Sequence, residues 1–248
     1  ADFNSIFDLG LDQLKVRVGY ATTGSLPSQN GLSVPRRNFV YAGGGSAGGA
    51  TTLGRAANPD LKWEEKGETN FGIEFDNGPI SIDLDIYSRV VKDFIIDRQV
   101  DVTSYGVDRR FENAGQITSK GIEVAINYDV LNSASTSYNT GVVLSSNSNT
   151  LDSYVIDRAQ YGYLGSPGQN AVAMVKVQVG QPLGEIYGPV FQGVTADGGN
   201  DFKDVNGDGI INTDSGNVLN EDYDGEILGQ AFPTLELGWT NQVIFGDW

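Results

Sequence analysis

Hydrophobicity that flips at every second residue is the feature of this sequence that most limits its fold, because only extended chain with two unlike faces uses it. Residues 14–20, LKVRVGY, put Leu14, Val16, Val18 and Tyr20 on one side, with Lys15 and Arg17 on the other. Residues 69–76, TNFGIEFD, align Phe71, Ile73 and Phe75 against Asn70, Gly72 and Glu74. Asp76-Asn77-Gly78-Pro79 is a turn signal, and 80–87, ISIDLDIY, follows with Ile80, Ile82, Leu84 and Ile86 opposite Ser81, Asp83 and Asp85. The pattern returns at 121–128 (Ile122, Val124, Ile126, Tyr128), at 137–145 (Tyr138, Thr140, Val142, Leu144) and at 235–245 (Leu235, Leu237, Trp239, Val243, Phe245). Helical periodicity is hard to find. The chain is expected to be all-β.

Two environments produce such strands. A soluble sandwich buries the apolar face in a core, whereas an outer-membrane barrel turns it to lipid and its polar face to a watery lumen. The connections favour the barrel. They alternate short and long: 76–79 and 129–136 are short, while 21–68, 88–115 and 146–234 are long. Short periplasmic turns and long extracellular loops are what a barrel needs. Tyr20, Tyr87, Tyr128 and Trp239 suit girdle positions. The expectation is antiparallel strands forming part of a large transmembrane β-barrel, with 12–20, 80–96 and 137–147 running outward and 69–76, 116–128 and 235–245 running inward. About six strands fall short of the roughly eight of the smallest closed barrels, so the chain is read as a piece whose edges pair with strands outside it.

Composition narrows the function. The chain has 248 residues, a formal charge of -16, no Cys and no His. A strongly acidic surface argues against nucleic acid as a partner and suits cations. The absence of Cys excludes a disulfide framework and thiolate metal sites in this chain. No apolar run long enough for a transmembrane helix occurs, and the stretch ADFNSIFDLG is no export signal. Lacking His and Cys, the chain has neither the commonest general base nor a thiol nucleophile. No carboxylate pair is singled out among its scattered acids, and an enzyme is not expected.

Longer segments are more specific. NPDLKWEEKGETNFGIEF (58–75), IDLDIYSRVVKDFI (82–95), NAGQITSKGIEV (113–124), GQPLGEIYGPVFQGV (180–194), FKDVNGDGIINTD (202–214), ILGQAFPTLELGWT (227–240) and QLKVRVGYATTG (13–24) resemble, in the same order, segments of SusC-family TonB-dependent transporters of Bacteroidetes. Pro189 and Gln192 depart from the family's usual aromatic and Asp. The resemblance implies a 22-stranded barrel in the outer membrane. It also implies an N-terminal plug through which TonB acts, a SusD-like lipoprotein partner, and oligosaccharides or peptides as cargo. It places this chain in the barrel's C-terminal half, supplying wall and loops, without the plug and the closing strands.

The segment 202–214 also reads as the front of a calcium loop. Oxygen donors fall at Asp204, Asn206, Asp208, the carbonyl of Ile210 and Asn212, with Asp214 as a closing ligand, and Gly209 permits the sharp turn; such donors suit Ca²⁺. No long amphipathic helices flank it and Ser215 stands where an EF-hand has Glu, so it is not an EF-hand. The other reading is an Asx-rich turn whose side chains cap backbone amides. Tyr161, Tyr163 and Tyr187 offer faces for stacking on sugars or for packing the loop. Glu74, Asp83, Asp85 and Glu123 are expected to line the lumen, and Gly43–Gly49 to form a pliable loop. Asp97, Arg98, Asp108, Arg109 and Arg110 are expected to pair within a loop. The rival to the transporter piece is a soluble, calcium-stabilised β-sandwich that binds glycans.

Overall fold

A computed structural model describes residues 10–25, 27, 29–41, 49–156, 160–164, 172–214, 218 and 220–246. Six long strands make one antiparallel sheet: β1 (Gln13–Ser25), β4 (Glu64–Asn77), β5 (Ile80–Lys92), β8 (Gly115–Asn132), β9 (Thr136–Tyr154) and β16 (Leu235–Phe245), in the order β1-β4-β5-β8-β9-β16. Sequence neighbours lie side by side, the meander that tight turns impose on alternating strands. The β4–β5 turn is closed by Gly78, whose φ of +59° suits the first central position of a primed two-residue hairpin. Its amide donates to Asp12 Oδ2 at 2.6 Å. At the same end, Ser133–Ser135 joins β8 to β9, and the Gly246 amide donates to the Ser135 carbonyl at 2.7 Å.

Register turns the alternation into two surfaces. Three successive rows cross all six strands: Leu14, Phe75, Ile82, Ile126, Val142, Trp239; then Val16, Ile73, Leu84, Val124, Leu144, Leu237; then Val18, Phe71, Ile86, Ile122, Ser146, Leu235. Only Ser146 among them is polar. Among the described residues nothing covers this surface: Val18 is 77% exposed, and Leu237 and Trp239 are each 70% exposed. The sandwich alternative therefore fails, since it requires a second sheet stacked on these residues. β16 spans 11 residues, which at ~3.3 Å per residue and a tilt of ~40° rises ~25 Å, the height of a lipid-facing band.

Three features depart from the sequence reading. Tyr87 pairs with Gly121 and shares its face with Asp83 and Asp85, so it lies on the polar wall and not in a lipid girdle. The outward strand expected over 80–96 stops at Lys92, because Asp93 adopts a φ of +55°. The chain restarts as β6 (Ile95–Gln99), crosses a one-turn helix α1 (Val102–Tyr105) and returns as β7 (Arg109–Asn113). The connections are also not plain loops. β2 (Arg36–Tyr41) and β3 (Gly49–Arg55) form a hairpin, and β6 pairs with β7. Within 146–234, β9 continues to Tyr154. A second sheet follows, made of β10 (Gln160–Leu164), β11 (Val172–Val177), β12 (Glu185–Gly188) and β15 (Glu226–Gln230), beside a small hairpin of β13 (Phe191–Val194) and β14 (Asn200–Phe202).

Because β16 is shorter than β9, the outer part of the β9 edge is free to take another partner. Residues 180–183 use it: the Leu151 amide donates to the Gln181 carbonyl (3.1 Å), Gly180 to Leu151 (2.7 Å) and Leu183 to Asn149 (2.9 Å). The loop sheet is thus pinned to the wall, and Leu151 beneath the junction is 2% exposed.

Adjacent residues should report opposite surroundings. In a cysteine-free background of the full-length protein, a nitroxide on Val124→Cys is expected to be accessible to oxygen and shielded from a polar nickel chelate, and one on Ala125→Cys the reverse. Val124→Arg should cost about 2–4 kcal/mol of folding stability in lipid, measured by urea titration of vesicle-inserted protein. Matching accessibilities at 124 and 125 would contradict the two-faced wall.

Candidate functional site: polar wall and outer loops

The side chains between the apolar rows form the opposite surface. Gln13, Asp76, Ser81, Asn127, Gly141 and Thr240 make one row, and Arg17, Gly72, Asp85, Glu123, Ser145 and Glu236 another. The charges near β1 are knitted together. Lys15 Nζ lies 3.0 Å from Glu74, Arg17 Nε 3.1 Å from Glu74 and Arg17 Nη2 3.1 Å from Asp85, while Arg89 holds Glu68 at 2.8 Å. Glycines leave room for these groups to lie along the wall. A Cβ at Gly72 would strike Arg17 and Asp85, and one at Gly121 would strike the Tyr87 ring. Of the four acids expected in the lumen, Glu74 and Asp85 are paired, whereas Asp83 and Glu123 have no cation partner among the described residues.

Above the wall the outer connections brace one another. The Ala56 amide donates to the Arg109 carbonyl (2.9 Å), and buried Asn58 donates to Phe111 O (2.8 Å). Asn113 exchanges hydrogen bonds with the Lys62 backbone at 2.9 and 3.0 Å. The expected ion pairs form in part with other partners: Arg109 meets Asp97 at 3.7 Å, but Arg98 (2.6 Å) and Arg110 (3.2 Å) both go to Glu112. Asp101 caps α1 and is held below the usual carboxylate range by hydrogen bonds from Thr103 and Ser104. Gly43–Gly48 lies outside the described residues.

The 204–214 segment is a ladder of side-chain-to-amide bonds. Asp204 accepts from Gly207 (2.6 Å) and Gly209 (2.8 Å), Asn206 Oδ1 from Asp208 (3.0 Å) and Asp208 Oδ1 from Ile210 (2.7 Å). Gly209 has a φ of +81°, which the turn requires. The residue that organises the ladder is one the sequence reading missed. Asp224 is 0% exposed and accepts from the amides of Val205 (2.8 Å), Asn206 (3.4 Å) and Asn212 (2.8 Å). Its own amide donates to the Asn212 carbonyl at 2.9 Å. These amide bonds, from Asn212 foremost, hold its carboxyl below the usual range. Next to it, Tyr223 and Tyr187 pack at 6.0 Å between centroids, with Ala173 and Val218, and burial pushes both phenols up.

The three tyrosines are only partly gathered. Tyr187 is half-buried, with Lys176 Nζ 4.7 Å over its ring. The Tyr161 backbone pairs with Lys176, and the Tyr163 backbone with Ala173; the side chains of both lie outside the described residues. Tyr187 is committed to the loop core.

A sheet that is apolar outside and polar inside, topped by braced loops, defines an outer-membrane β-barrel protein. The sequence profile of the family described as "TonB dependent receptor-like, beta-barrel" matches residues 6–217, and the chain belongs to that family. It is 25% identical over 257 residues to TonB-dependent receptor P26 of Formosa agariphila, covering 94% of this chain and 24% of the relative. It is likewise 25% identical to TonB-dependent receptor P3 of the same organism, with 92% and 24% covered. It thus spans about a quarter of the length of these relatives. Its fold is similar to that of the RagAB peptide importer in the "closed-closed" state (TM-score 0.72, 18% identity, 98% of this chain and 27% of that one) and the "open-open" state (0.73, 16%, 99% and 26%). The chain is part of the barrel of a TonB-dependent receptor of the outer membrane.

Asp224→Ala removes the acceptor shared by three amides, so cleavage of 202–224 in intact membranes by an externally added protease should accelerate about tenfold. The folded pKa lies below the unfolded one, so the carboxylate's contribution is complete above the unfolded value. It is lost as pH falls through the folded value. Cleavage should therefore be flat from neutral pH down to about 5 and rise only in stronger acid. A rate insensitive to the substitution would remove Asp224 from this role.

Proposed function

We propose that this chain supplies wall and outer loops to a transporter that imports oligosaccharides or peptides with a SusD-like surface lipoprotein, energised by TonB through a plug in the same longer protein. The observation that carries the reading is the pairing of an uncovered apolar surface with a polar one across a single six-stranded sheet. Such a wall has a use only where lipid lies on one side and a water-filled path on the other. The sheet of β10, β11, β12 and β15, joined through residues 180–183 to the β9 edge, supports this reading, since a lipoprotein lid needs a firm platform. In the native bacterium, deletion of the gene should abolish growth on one class of oligosaccharide or peptide. An affinity tag on the receptor should also recover a surface lipoprotein in near-equal amount from detergent-solubilised outer membranes. Unimpaired growth on every glycan and peptide tried, with no lipoprotein recovered, would defeat the proposal.

We infer further that the 204–214 loop takes Ca²⁺, through Asp204, Asn206, Asp208, the Ile210 carbonyl, Asn212 and Asp214. Each carboxylate oxygen of Asp204 accepts one amide bond and retains a lone pair. The chain's excess of acids favours a cation. EDTA and Asp208→Ala should each speed proteolysis of this loop severalfold, with added Ca²⁺ reversing only the first. Cleavage unchanged by EDTA would leave the loop as a set of Asx turns.

A further inference from the structure

Positive charge gathers in the outer hairpins of a chain whose net charge is -16. Arg98, Arg109 and Arg110, on β6 and β7, find Asp97 or Glu112. The arginines of β2 and β3 do not. Arg36 and Arg55 are direct cross-strand partners, an arrangement of like charges that weakens a hairpin. No acid among the described residues pairs with either. Arg55 donates through Nη2 to the Gly31 carbonyl at 2.9 Å and lies 4.8 Å over the Phe111 ring, while its Nε is buried without an acceptor among the described residues. The register shifts between Arg36 and Arg37, leaving Gly54 unpaired in the ladder, and Asn38 lays its amide over Gly54, where any Cβ would collide with it. Three donor side chains thus gather around the shifted register at Gly54, one of them lying over an aromatic ring.

We propose that Arg36, Asn38 and Arg55 form a binding site for an oxyanion, a sulfate, phosphate or carboxylate group carried by a soluble polymer such as an acidic glycan. An anion seated there turns the repulsion between the two arginines into shared attraction. Guanidinium groups suit it, because their planar forks meet such oxygens in pairs. The ligand is soluble rather than a lipid headgroup on grounds of height. The last apolar row contains Val18, and the wall continues seven residues further, to Ser25 paired with Glu64. That is a rise of ~18 Å for tilted strands, against ~5–8 Å for a headgroup layer, and the hairpin lies beyond it. The site goes beyond the transport reading and does not depend on it, because its readout is binding.

The test is biolayer interferometry on the full-length receptor in detergent, with immobilised dextran sulfate, carboxymethyl dextran and neutral dextran. Both anionic polymers should bind, in a salt-dependent way, and neutral dextran should not. Arg36→Glu should weaken binding to the anionic polymers about tenfold or more. Arg36→Ala, which only trims an exposed side chain, should also weaken it, and Arg36→Lys should fall between wild type and Arg36→Ala, since it keeps the charge but loses the planar fork. Heat-modifiable electrophoretic mobility should be unchanged in all three. Equal binding by wild type and Arg36→Glu, or neutral dextran bound as well as the sulfated polymer, would overturn the proposal. So would a loss seen only with phosphatidylglycerol vesicles, which would assign the patch to a lipid surface.

Discussion

The hydrogen bonds between strands are the constraint on which the rest of this structure depends. A lipid interior offers no partner to a backbone amide or carbonyl, so each spanning strand must be satisfied on both edges. The four inner strands of the sheet are: β4, β5, β8 and β9 each lie between two neighbours. β1 and β16 have one neighbour each among the described residues, and their outer edges carry groups that lipid would leave unpaired. In the membrane those edges must meet further strands. The relatives, about four times longer than the region they share with this chain, have the length to provide them. The family assignment and the hydrogen-bond requirement thus point to the same conclusion from independent directions.

Once the ladder is fixed, the side chains on each face have little freedom. A one-residue slip would carry Val16 and Leu84 to the lumen and Arg17 and Asp85 into lipid, so register and surroundings specify one another. Buried packing plays a minor part in the wall, where the stabilising solvent for the apolar face is lipid itself. Among the described residues, packing of the ordinary kind lies away from the apolar rows: Ala173, Val218 and Tyr223 are buried against Tyr187 in the outer loops, and Leu151 is buried beneath the junction. Two kinds of stabilisation coexist in one chain, and the boundary between them lies where residues 180–183 take over the β9 edge from β16.

How much of this was legible in the sequence follows from the same division. The six wall strands repeat one rule over eleven or more residues each, and the lipid or lumen face can be read from parity alone. Tyr87 shows that parity is the stronger guide: it stands at the end of an apolar run yet counts with Asp83 and Asp85, and the structure puts it with them. The loop strands were illegible because they are three to seven residues long, too short for alternation to rise above a background of Gly, Asp and Asn. The break at Asp93 left no mark, since no glycine signals its left-handed φ.

Asp224 illustrates what sequence reading cannot weigh. It stands in NEDYDGE, one acid among several, and nothing nearby distinguishes it from Asp222 or Glu221. Its role arises because the chain returns after Asn212 and sets this one carboxylate against amides already aimed inward. Three backbone donors in a buried position are a stronger claim on an acid than any motif. The conspicuous FKDVNGDGIINTD is held in shape by a residue outside it. Its Asx bonds set the local turns, and the clamp from Asp224 sets where those turns sit relative to the sheet of β11, β12 and β15. A loop anchored in this way keeps its shape while side chains such as Asp208 and Ile210 stay exposed to solvent.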